Sequence, residues 1–133
     1  MRARNCSSGH EPGSFDIAHA GMFLHHLPDI EIVTVLRIMQ RLACVGLVWN
    51  DLVRDALSRV GVRAITLGTP RIVRHDAIVS VDKGFTRSEA QDLARRAGLT
   101  RVTYRRHVFG RFTLVAAGQE RGERREEEET GER

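Results

Sequence analysis

Two short apolar runs, separated by one helix-length amphipathic stretch, constrain this chain of 133 residues more than any other feature. The first is Phe15-Asp16-Ile17-Ala18-His19-Ala20-Gly21-Met22, a run that enters a loop and reads as a buried strand. The second, Val45-Gly46-Leu47-Val48-Trp49-Asn50-Asp51, is too short for a helix and is bounded by polar residues. Continuous runs of this kind belong to strands covered on both faces, the habit of parallel sheets. Between them Pro28-Asp29 opens a predicted helix. Its Ile30, Ile32, Val33, Val35, Leu36, Met39, Leu42 and Ala43 make a wide apolar stripe, with Glu31, Arg37 and Arg41 off it. Strands joined through a helix run parallel.

Downstream the pattern first blurs and then sharpens. Leu52 to Val62 is compatible with a helix, and Gly68-Thr69-Pro70 breaks the chain. Residues 71–84 carry short apolar pieces and are expected to form an irregular connection, of a length that in compact domains is commonly functional. Thr86-Arg87-Ser88-Glu89 is a capping box opening a helix with Ala90, Leu93, Ala94 and Ala97 on its buried face, and Gly98 stops it. Residues 101–108 and 111–117 are two strands joined through Phe109-Gly110, a link short enough to force an antiparallel pair. The order predicts an α/β fold: parallel strands with crossover helices, closed by an antiparallel hairpin.

Composition bounds the rest. Residues 1–14 lack periodicity and read as an irregular lead-in, and residues 119–133, with seven glutamates and four arginines, read as a disordered charged tail. The foldable part is 15–118. No run approaches the roughly 18 apolar residues of a membrane span, and no apolar segment follows the basic start as a secretory signal requires. Cys6 and Cys44 make no disulfide framework and fit a reducing, cytoplasmic compartment. Of 21 basic residues 20 are arginine, spread along the chain without interleaved aromatics. The net charge of +4 is therefore read as compositional, not as a nucleic-acid surface. The six histidines show no zinc-type spacing with the cysteines, so no metal site is expected.

The stretch FDIAHAGMFLHHLPD resembles the fourth-strand motif of class I S-adenosylmethionine-dependent methyltransferases. The downstream order is similar too: a helix, a strand ending Val48-Trp49-Asn50-Asp51-Leu52, an Arg74-His75-Asp76 segment, Gly84-Phe85-Thr86 before the capped helix, the Ala97-Gly98-Leu99 turn and the hairpin. The resemblance covers 15–118 and implies a partial Rossmann-like methyltransferase sheet, its C-terminal half. The family's glycine-rich cofactor loop has no counterpart here. No two of the twelve glycines stand at i and i+2, so no G-x-G exists to give the tight turn and close backbone approach.

Ligands in open α/β sheets sit beyond the carboxyl ends of the strands, which singles out residues 19–26 and 49–52. The resemblance implies that His19, Ala20, Gly21 and Phe23 border the methyl donor, S-adenosylmethionine. It places His25 near the methyl-transfer space, although Phe23, Leu24 and Leu27 are equally suited to stapling the loop onto the next helix. A hydroxyl acceptor needs a base, and histidine titrates near neutrality, so His25 and His75 are the candidate catalytic residues. His75-Asp76 reads equally as a surface turn. Asn50 and Asp51 are candidates for binding a small-molecule acceptor, or for capping the following helix. The expected function is methyl transfer to a small molecule by a truncated site, incompetent alone. The alternative is a non-catalytic interaction module, pairing through its open edge at 15–22 with a second copy or a separate N-terminal half.

Overall fold

The computed structural model describes residues 12–118. The expected tail at 119–133 and nearly all of the expected lead-in lie outside them. Strand β1 (Phe15–Gly21) leads through a 3-10 turn (Leu24–His26) into helix α1 (Asp29–Leu42) and strand β2 (Ala43–Leu52). Helices α2 (Ala56–Ile65), α3 (Arg71–Asp82) and α4 (Arg87–Arg96) follow, then strands β3 (Thr103–His107) and β4 (Arg111–Ala117). The four strands form one sheet in the order β1-β2-β4-β3. The pair joined by α1 is parallel, with Gly21 opposite Asn50, and the other pairs are antiparallel. This is the α/β arrangement the apolar runs predict.

The core sits on one face of the sheet. Ala20, Leu47, Trp49, Phe112, Leu114 and Ala116 point into it, against Ile32, Leu36 and Met39 of α1 and Ala90, Leu93 and Ala94 of α4. Trp49 meets Phe85 and Phe112 edge-on, with ring centroids 5.0 and 5.2 Å away. The alternate residues face the other way, and there Ile17 is 59% and Val115 42% exposed. Helix α4 has its capping box, with Thr86 and Glu89 each accepting the other's backbone N–H. It ends in a left-handed Gly98, and the Leu99 N–H returns to the Ala94 carbonyl. The hairpin turn puts both Phe109 and Gly110 at φ 68°, a twist that suits antiparallel strands.

Three expectations are corrected. Residues 71–82 are not irregular: Arg71–Asp82 is a helix started by Pro70. Its two isoleucines and three valines are β-branched and favour a helix little by themselves. They are held helical by packing on α2, by an Arg59–Asp82 ion pair at 2.7 Å and by Arg74 donating to the Leu67 carbonyl. The cap of α2 is Asp55, which accepts the Ser58 N–H at 2.7 Å, not Asn50 or Asp51, which lie inside β2. Ile30 is exposed, because the stripe of α1 was drawn wider than the sheet it meets. Cys44 lies half-buried in β2, with its Sγ 3.6 Å from Asp16 Oδ1.

Candidate functional site

The site is built where the chain leaves the carboxyl ends of the parallel pair. After β1 the backbone turns sharply: Met22 adopts a left-handed φ of 59°, and its N–H bonds the Asn50 carbonyl of β2 at 2.8 Å. A left-handed non-glycine residue costs energy, and such residues concentrate at functional turns. The turn delivers Leu24 into the core and places His25 against the end of β2.

Alternation along β2 puts Leu47, Trp49 and Asp51 on the core face, so Asp51 is a carboxylate with no exposed surface. A buried carboxylate needs donors, and this one has four. His25 Nδ1 lies 2.6 Å from Oδ1, and the Leu52 N–H reaches the same oxygen at 2.9 Å. Trp49 Nε1 and the His25 backbone N–H reach Oδ2, each at 3.3 Å. An ionised carboxylate only accepts, so His25 donates its Nδ1–H to Asp51. His25 is itself buried, and it lines a polar cleft of about 190 Å³. Leu27, Asp29, Arg54, Lys83, Phe85 and Glu89 make up most of the remaining wall. Arg54 is ion-paired there with Glu89, whose other oxygen closes the capping box of α4.

The structure brings some of the candidate residues together and separates others. His25 and Asp51 form one unit. His19, Gly21 and Asn50 gather on the opposite sheet face, where a Cβ at Gly21 would lie 2.9 Å from the His19 ring and the Asn50 Oδ1 is buried without a partner. Ala20 points into the core, so only its backbone borders that face, while Phe23 is partly exposed beyond the turn. His75 stands apart, solvent-exposed on α3, 3.8 Å from its neighbour Asp76 and lining neither cavity described here. Sequence reasoning missed the dependence of His25 on Asp51 and the wall supplied by Arg54, Lys83 and Glu89. An aspartate ending an otherwise apolar strand was the available signal, since burial there demands a partner. Among the described residues no three His, Cys, Asp or Glu side chains converge as metal ligands.

No family model matches the sequence, and no curated protein matches it. Solved structures do share its fold. A candidate O-methyltransferase from Nostoc punctiforme aligns over 80% of this chain and 32% of its own, with a TM-score of 0.55 and 17% identity. PigF, solved with SAH, aligns over 81% of this chain and 35% of its own (TM-score 0.55, 19% identity). A candidate exported protein from Bordetella parapertussis aligns over 83% and 41% (TM-score 0.63, 16% identity). The chain thus has a methyltransferase-like fold and spans between a third and two fifths of the length of these structures.

Proposed function

We propose that this chain carries the acceptor side of an S-adenosylmethionine-dependent methyltransferase site, with His25 as general base toward a small-molecule hydroxyl. The observation that carries the reading is the His25–Asp51 contact at the carboxyl ends of two parallel strands. Asp51 is the positioning residue: it holds the imidazole with Nδ1 protonated, so that Nε2 accepts the acceptor's proton as the nucleophile forms. Bound S-adenosylmethionine supplies the electrophilic methyl. At the carboxyl ends of β1 and β2, which His25 also borders, the residues fit one wall of a site for it. The left-handed Met22 turn stands at the same strand end, and the unpartnered Asn50 Oδ1 accepts a donor from a ligand. Acceptor selection falls to Arg54, Lys83 and Glu89 around the cleft. His75 serves only if the acceptor extends to α3. The setting is cytoplasmic.

The second wall is the difficulty, because no G-x-G turn exists within these 133 residues. The chain alone is therefore inactive and holds the donor weakly. Calorimetric titration of residues 1–133 with S-adenosylmethionine tests this, and micromolar binding would overturn it. The role of His25 has its own readout. Nitrogen-correlated NMR of the imidazole should show the Nδ1-protonated tautomer, and a dominant Nε2-protonated form would remove the base.

A second reading rests on a separate observation. Among the described residues strand β1 pairs only with β2 and leaves Phe15 and Ile17 more than half exposed, an edge that suits pairing with another chain. In that reading the protein is a non-catalytic module, pairing through β1 as a homodimer or with a separate N-terminal half. Light scattering decides, since a concentration-independent monomer opposes the homodimer.

A further inference from the structure

A larger cavity lies away from His25 and shares no residue with its cleft. It is a groove of about 1110 Å³ between α2, α3 and the tip of the β3–β4 hairpin. Ligand sites commonly enclose roughly 300–1,000 Å³ behind mostly apolar walls. Here the walls are Leu57, Val62, Ile65, Val81, Val108 and Phe109.

Two observations say that the space is kept open. First, the helix faces turned toward it carry small residues, Ser58, Gly61 and Ala64 on α2 and Ala77 and Ser80 on α3, where protein interiors ordinarily close-pack. Second, Gly61 sits inside a helix, where glycine is unfavourable, yet a Cβ there would meet no atom within 4 Å. The packing of the chain itself gives no reason for it.

The polar residues at the mouth define the charge of the occupant. Arg106 is neutralised by Asp55 at 2.6 Å, and His107 Nε2 is engaged by Thr113 Oγ1 at 2.8 Å. Arg111 also lines the groove, and no acidic partner stands against it among the described residues. We propose that this groove binds a free amphipathic monoanion, an alkyl carboxylate or a molecule of that chemistry. Its apolar body lies along α2 and α3, and its acid group pairs with Arg111. The small residues form a concave trough, which suits a single chain better than a membrane surface. The inference stands independently of the methyltransferase reading.

Calorimetry of the full chain with octanoate, decanoate and dodecanoate, each below its micellar concentration, tests the proposal. Binding should be saturable at one site and tighten about tenfold for every two methylenes, as buried methylene groups require. Gly61→Leu, which raises helix propensity while filling the trough, should weaken dodecanoate at least about tenfold, and Ala77→Leu should do the same from the facing helix. Arg111→Gln should weaken dodecanoate by about tenfold and leave 1-dodecanol unchanged. Absence of saturable binding, equal affinity for dodecyltrimethylammonium, or indifference to both filling variants would overturn the assignment. So would binding to phosphatidylglycerol vesicles without binding of monomeric dodecanoate, which would make the face a membrane contact. A filling variant that changes oligomeric state in light scattering, and not dodecanoate affinity, would make it a contact between copies.

Discussion

Replacing Asp51 by asparagine tests the geometry at the centre of the site. The amide keeps one acceptor oxygen and presents an NH2 where the second carboxylate oxygen stood. The oxygen will face the shorter contacts, His25 Nδ1 at 2.6 Å and the Leu52 N–H at 2.9 Å. That sets the NH2 against Trp49 Nε1 and the His25 N–H, both at 3.3 Å, and two buried donors lose their acceptor. An unsatisfied buried group costs about 1–3 kcal/mol. Long contacts belong at the low end, so the loss should be about 2–3 kcal/mol. Asp51→Ala strips all four donors and leaves a hole, and should cost about 4 kcal/mol or more. Urea unfolding followed by fluorescence is well suited, because Trp49 is the chain's single tryptophan and touches the mutated group. Combining each change with His25→Ala should give a coupling energy of roughly 1 kcal/mol or more, as directly bonded residues do. An Asp51→Asn protein within about 0.5 kcal/mol of the parent, the error of such comparisons, would refute the four-donor account. Equal costs for asparagine and alanine would refute the claim that the shorter pair dominates.

Three further outcomes follow from the elements around the site. Thr86→Ala removes one half of the capping box and should destabilise the protein by about 1 kcal/mol in the same urea assay. Gly98→Ala should cost about 1–2 kcal/mol through backbone strain alone, since φ is +77° and no atom stands within 4 Å of the new Cβ. Acid sensitivity should appear at the start of α2. Burial alone would raise the Asp55 carboxyl, but the Ser58 contacts and the Arg106 guanidinium outweigh it and hold it below the ordinary 3.8. A depressed carboxyl stabilises the fold fully above its unfolded value and loses that contribution as pH falls through the folded one. Thermal unfolding below pH 4 should therefore fall less steeply in Asp55→Asn than in the parent.

Much of the fold was legible in the order of residues, because local rules and tertiary structure agreed there. The apolar runs around α1 required a parallel pair, the Thr86–Glu89 box and Gly98 bounded α4, and Phe109-Gly110 closed a hairpin. Each signal is short-range: an apolar run of strand length, a reciprocal cap, a left-handed turn; the second cover that the runs predicted is absent among the described residues, where Ile17 and Val45 are more than half exposed. The α3 segment failed the same treatment. Its β-branched residues favour strands in isolation, and only contact with α2 and the arginine bonds to nearby groups make a helix the lower-energy choice.

The site divides along the same line. Sequence alone could nominate His25, Asn50 and Asp51, since strand ends in such sheets face ligands and these residue types carry the chemistry. It could not say which face each residue of β2 takes, Asp51 onto His25 and Asn50 toward Gly21, because that depends on which face the helices cover. It could not see Arg54, Lys83 and Glu89 converge on one cleft either, nor α2 and α3 leave a groove beside the hairpin. Periodicity and caps record what each segment prefers within a few residues. Burial, pairing and open volume belong to segments distant in the chain, and only their packing decides them.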